Sequence, residues 1–184
     1  AAQVRHAVPK RRHEFTLGRL YARMALRRLG IVDFPLLAGA HREPRWPPNI
    51  AGSITHCDRF CGVAVARAPI RAIGIDAEKR GPLPSEVAPL VFTSNERQWL
   101  HGAHAENRDD WPTLIFSAKE SVYKCQFPLT GVMLDFTDVE IAVTAPGAFS
   151  ATINAGAPGT DEVRTLRGRY GIGPDHIYTA VVVT

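Results

Sequence analysis

Apolar residues recur at helical spacing over residues 14–29, where Leu17, Leu20, Tyr21, Met24 and Leu29 stand among arginines and Gly30 marks the expected stop. That spacing predicts an amphipathic helix with its apolar stripe on a core. Residues 34–49 carry Pro35, Pro44, Pro47 and Pro48 and read as an ordered connection with few backbone donors. Strand patterning follows at 52–56 and again at 60–67, where Val63 and Val65 alternate with small residues. Ala68-Pro69 interrupts it, and 72–78 resumes it.

The second half reads differently. Thr93 and Glu96 are spaced as a capping box, so a helix should start near Ser94, ahead of the polar loop HAENRDD. A longer helix is expected over 111–126, with Pro112 in its first turn and Leu114, Ile115, Ala118, Val122 and Cys125 on one face. Pro128 to Gly131 should end it. Runs at 133–144, 148–153, 163–170 and 177–183 read as antiparallel strands joined by Gly/Pro turns. The class is α+β, and the interruption at Ala68-Pro69 is read as the boundary between two halves.

Composition narrows this picture only a little. With 184 residues, 45% hydrophobic and 22% charged, the chain can form one or two ordinary cores and is not a disordered sequence. A net charge of +4 favours anionic partners without choosing among them. Cys57, Cys61 and Cys125 make an odd number with no compact framework, so reduced thiols and a cytoplasmic location are expected. A zinc site at His56, Cys57 and Cys61 lacks a second ligand pair. No apolar run reaches the length of a membrane span, and no hydrophobic signal core is present near the start. The missing initiator Met suggests a chain that starts inside a longer sequence.

The chemistry concentrates in two places. In GIDAEKR, an extended backbone sends Asp76 and Glu78 to one face. Two such carboxylates repel unless a metal ion, a basic side chain or water separates them. In FSAKESVYK, Glu120 and Lys124 share a helix face, with Lys119 about a quarter-turn round. If that face meets the strand tip, Asp76, Glu78 and Glu120 form an oxygen-rich cluster suited to Mg²⁺. The plainer alternatives are a surface helix pair contributing about 0.2–0.5 kcal/mol and a solvated strand rim.

Taken together, GSITHC at 52–57, GIDAEKRGPLP at 74–84 and FSAKESVYKCQFPLTG at 116–131 resemble the 4'-phosphopantetheinyl transferases. The likeness is to the monomeric, surfactin-synthetase-activating type of actinobacterial secondary metabolism. It extends upstream to KRRHEFTLGRLYAR and EPRWP, and downstream to the Leu-Arg-Gly-Arg strand.

The resemblance implies a pseudo-dimer of two similar α+β halves, set at about 1–70 and 71–184, with coenzyme A as substrate in the cleft between them. It implies transfer of the phosphopantetheine arm to a serine of an acyl or peptidyl carrier protein with an acidic surface. It further implies Asp76, Glu78 and Glu120 as ligands of Mg²⁺ or, in its place, Mn²⁺. Glu120, Lys124 and Asp76 would be catalytic. Arg11, Arg19, Thr55, His56, Lys119 and Lys124 would hold coenzyme A, and the region 82–107 would dock the carrier. Ala38 and His41 stand where the family often has Lys or Arg, a departure that bears on binding of the 3'-phosphate. The protein is expected to be a cytoplasmic monomer with no nucleic-acid or membrane partner. The rival readings are a Mg²⁺-dependent nuclease and a basic, non-catalytic binding module.

Overall fold

A computed structural model describes residues 9–103, 109–154 and 159–184, the side chains of residues 9–11 and 103 excepted. Helix α1 spans Pro9–Arg28, and the hairpin β1 (Ile50–Cys57) and β2 (Phe60–Arg67) forms a two-stranded sheet. β3 (Ala72–Lys79) leads into the short α2 (Ala88–Val91), α3 (Ser94–Ala103) and α4 (Trp111–Thr130). Then come β4 (Val139–Ala145), β5 (Ala148–Ile153), β6 (Thr165–Ile172) and β7 (His176–Val183). The second sheet has the order β3-β7-β6-β5-β4 with every neighbouring pair antiparallel, so β3, the earliest of its strands in the chain, lies at an edge. The observed class is α+β.

The register Asp76↔Thr179 and Gly74↔Val181 puts the even residues of β3 and the odd residues of β7 on one face. α4 covers that face. Leu114, Ile115, Ala118, Val122 and Cys125 are all buried, as their spacing predicted. A fully buried aliphatic side chain contributes about 1.5–3 kcal/mol, so these residues hold α4 more firmly than any surface ion pair on it. The fit is close at Gly74, where any Cβ would collide with the Ser121 carbonyl.

The open edge of β3 is closed by side chains instead of a strand. The amides of Ile75 and Ala77 donate to Ser53 Oγ (3.1 Å) and Thr55 Oγ1 (3.0 Å) of β1. At the hairpin tip Phe60 packs edge-on to Tyr178, with ring centroids 5.3 Å apart. The hairpin is thereby fixed against the larger sheet.

Three sequence expectations are corrected. Three large apolar residues of α1 expected on the core, Leu20, Tyr21 and Met24, are exposed, and Ala22, Leu26 and Arg19 are the buried ones. The helix approaches β1 through small residues, with the Gly18 position against Ile54, and close approach turns the bulky side chains outward. Residues 133–138 are not strand, because Asp135 and Asp138 close a capping box around a 3₁₀ turn at Phe136–Asp138. α4 does not stop at Gln126 but runs through Pro128 to Thr130, inside the expected 128–131 stop. Thr130 donates to the Gln126 side chain (2.6 Å) and Gln126 to the Val132 carbonyl (2.9 Å), carrying the helix on to Gly131, whose φ of 67° makes the left-handed cap.

Candidate active site

β3 and α4 converge on Asp76. Its carboxylate is only 4% exposed, and three donors reach it. Thr55 of β1 donates to Oδ1 (3.0 Å), Lys124 of α4 donates to the same oxygen (2.6 Å), and Ser117, two turns before Lys124, donates to Oδ2 (2.8 Å). α4 is held at this end by its own start: Thr113 donates to the Gly81 carbonyl (2.7 Å), and Arg80 pairs with Asp110 (2.7 Å).

Glu78 lies two residues on, where the β-strand period returns the side chain to the same face. Burial pushes its carboxyl up to about 7, with Asp76 and Glu120 pushing the same way and Lys124 pulling it back. Glu120 is also raised, first by burial and then by Asp76, against the pull of Lys124, whose Nζ is 3.9 Å from Glu120 Oε2. Asp76, Glu78, Glu120 and Lys124 therefore act on one another as one electrostatic group.

Among the described residues, no three His, Cys, Asp or Glu side chains stand in a geometry that holds a metal ion. The donor set nevertheless fits a hard divalent cation. Three carboxylates share one ammonium, burial opposes the ionisation of Glu78 and Glu120, and oxygen is the ligand such ions take.

Lys119, expected from the resemblance to meet phosphate, is a correction. It is 2% exposed and donates to the Val91 carbonyl (2.7 Å), Glu96 Oε2 (2.7 Å) and the Phe136 carbonyl (2.8 Å). An ammonium has three protons, and all are used inside the protein. Glu96 also accepts from the amides of Thr93 (2.8 Å) and Ile141 (2.7 Å), so this buried pair ties α2, α3, α4, the 3₁₀ turn and β4 together. Burial lowers the pKa of Lys119 and hydrogen bonding to Glu96 opposes that shift.

Thr55 is a second correction. Its one proton goes to Asp76 and it accepts from Ala77, so this hydroxyl has no proton left for a ligand. His56 next to it is 46% exposed in its side chain, with Nδ1 3.9 Å from Glu14 of α1. Arg19 is 8% exposed, its guanidinium lies 4.8 Å over the Phe15 ring, and its buried Nε has no hydrogen-bond partner. A buried cation with an unused donor suits an anion. Arg11 lies in α1, and its side chain is outside the described residues.

Sequence reasoning missed Ser117 and the second role of Glu96. Ser117 sits on the Glu120–Lys124 face of α4 at helical spacing, which was a usable signal. Glu96 was legible only as a cap. A cavity of about 420 Å³ lies between the hairpin and the sheet, lined by Phe60, Val63, Ile75, Tyr178 and Arg169 among others, and Glu78, Glu120 and Lys124 do not line it.

Two family models match the chain. The 4'-phosphopantetheinyl transferase N-terminal domain matches residues 1–66, and the 4'-phosphopantetheinyl transferase superfamily matches residues 72–179. The chain is 47% identical to 4'-phosphopantetheinyl transferase Svp of Streptomyces mobaraensis, over 100% of this chain and 76% of the relative. It is 35% identical to 4'-phosphopantetheinyl transferase PptT of Mycobacterium tuberculosis, over 100% of this chain and 84% of the relative. It is also 37% identical to enterobactin synthase component D of Salmonella typhimurium, over 83% of this chain and 58% of the relative.

Proposed function

The chain belongs to the 4'-phosphopantetheinyl transferase superfamily, and from that premise we propose that it moves the phosphopantetheine arm of coenzyme A to a serine of an acyl or peptidyl carrier protein. The observation that carries the reading is the mutual action of Asp76, Glu78, Glu120 and Lys124 at the junction of β3 and α4. Membership displaces the nuclease and the non-catalytic module.

In the reaction the carrier serine oxygen bonds to the β-phosphorus of coenzyme A, and the bond to adenosine 3',5'-bisphosphate breaks. Asp76, Glu78 and Glu120 would hold Mg²⁺, or Mn²⁺ in its stead, and the ion supplies charge neutralisation for the pyrophosphate. Glu120 takes the serine proton. Lys124 is a quarter exposed in its side chain and offsets charge on the departing phosphate. Arg19 and His56 bind the nucleotide's phosphates.

Residues 1–70 and 71–184 form the two similar halves, with coenzyme A between them. The carrier docks near Pro82–Phe92, where Leu90 is 71% exposed; residues 104–107 of the expected docking region lie outside the described residues. No helix among the described residues is long and apolar enough to cross a membrane, and the enzyme acts as a cytoplasmic monomer.

The test is incubation with coenzyme A, Mg²⁺ and several apo carrier proteins, followed by intact-mass measurement. A carrier mass gain of one phosphopantetheinyl group, lost with Glu120→Gln while coenzyme A still binds, is the expected result. No gain on any carrier would overturn the reading.

A further inference from the structure

The Asp76 carboxylate is held by more than its lysine. Ser117 is fully buried, Thr55 and Thr179 are each 3% exposed, and none of the three hydroxyls is needed for the reaction as written. Each hydroxyl has one proton, and its destination is fixed by the hydrogen bonds around it. Thr179 donates to the Ser117 carbonyl (2.8 Å), and its oxygen touches Ser117 Oγ (3.0 Å), which leaves the Ser117 proton for Asp76 Oδ2. The Thr55 proton goes to Oδ1.

We propose that Thr55 and Ser117 are positioning residues: gripping both oxygens of Asp76 from opposite elements, they keep its carboxylate turned to Glu78 and Glu120 and so set the cation affinity of that face. This rests on the transferase reading. Of roughly four acceptor positions on a carboxylate, Thr55, Lys124 and Ser117 fill three, and the position left is on Oδ2. Without Ser117, Oδ2 loses its hydrogen bond and the carboxylate is held through Oδ1 alone, by Thr55 and Lys124, free to turn about that oxygen. Without Thr55, Oδ1 loses its hydrogen bond to β1, and that hydroxyl is also where the hairpin meets β3 through the Ala77 amide. The half that carries His56 and the half that carries the acids are thus joined through the carboxylate expected to hold the cation.

Hydrogen-bond partners of metal ligands typically contribute about 10–100-fold in affinity. The experiment measures Mn²⁺ bound by the whole chain, with coenzyme A present, from the free-ion electron paramagnetic resonance signal, alongside the melting temperature. Ser117→Ala and Thr55→Val remove the hydroxyls with little change of shape. Both should weaken Mn²⁺ binding about 10-fold or more, and Thr55→Ser, which keeps the hydroxyl, should restore it. A purely structural role would lower the melting temperature and leave the Mn²⁺ affinity unchanged. Wild-type binding with unchanged affinity in Ser117→Ala and Thr55→Val overturns this proposal alone. A wild-type chain that binds no Mn²⁺ sinks it together with the cation site of the transferase reading.

Discussion

Lys119 and Lys124 are five residues apart on one helix, and each pairs with a buried carboxylate, yet the two pairs do opposite things. Lys119 and Glu96 each leave 1% of their side chains exposed, and every proton of the ammonium is bound to the protein. Lys124 leaves 25% of its side chain in contact with solvent, makes one short bond to Asp76, and has Glu120 at 3.9 Å. A satisfied pair without free donors is a lock. A pair with unused protons beside surplus carboxylates is available to a ligand. The difference comes from helix geometry, since five residues turn the two side chains by about 500°, or 140° net, so one points to α3 and the other to the tip of β3.

The contrast breaks most visibly at the lock. Lys119→Met leaves Glu96 buried without its cation and should cost about 3–5 kcal/mol, a large part of the roughly 5–15 kcal/mol that holds a domain together. Urea unfolding measures it, and Lys119→Met with Glu96→Gln should recover a substantial share; a single variant within about 1 kcal/mol of wild type would show that the pair is not a lock.

The other lysine should behave differently. Lys124→Met should lower turnover by on the order of 100-fold and, because Lys124 is a quarter exposed and Asp76 keeps its Thr55 and Ser117 donors, should cost less stability than Lys119→Met. Steady-state kinetics paired with thermal melting separates the two effects, and an equal loss of both would erase the distinction.

The smallest effect is a pH dependence at the open end. The folded chain holds the Glu78 proton more tightly than the unfolded chain does, because burial raises its pKa from 4.5 to about 7. Its contribution to stability is full below 4.5 and is lost as the pH rises through 7. Discounted for solvent screening, the melting temperature of the metal-free protein should fall by on the order of 5 °C across that window. Mg²⁺ with coenzyme A should remove the fall, and Glu78→Gln should flatten it. A wild-type profile as flat as that of Glu78→Gln would contradict the assignment.

The acidic tip of β3 and the core face of α4 were legible in the sequence because period alone determines them: Asp76 and Glu78 by the alternation of a strand, Leu114 to Cys125 by the turn of a helix. The capping box of Thr93 and Glu96 was also legible, and both of its hydrogen bonds form. What period does not determine is which neighbour a polar side chain finds. Lys119 and Lys124 look alike in sequence, and only the packing of α3 against α4 decides that one is sealed. Thr55 beside His56 suggested a ligand contact, and the distant β3 claimed its hydroxyl instead. On α1 the stripe of Leu20, Tyr21 and Met24 misled for a related reason, since Gly18 and Ala22 permit a closer approach than large side chains do.

The central claim is that the three acids place a divalent cation against the pyrophosphate of coenzyme A. Phosphorus magnetic resonance of coenzyme A with the protein and substoichiometric Mn²⁺ tests it most directly, because a paramagnetic ion broadens the phosphorus nuclei nearest to it. The account predicts strong broadening of the two pyrophosphate signals with wild-type protein and its loss with Asp76→Ala. Equal broadening with both proteins would contradict it.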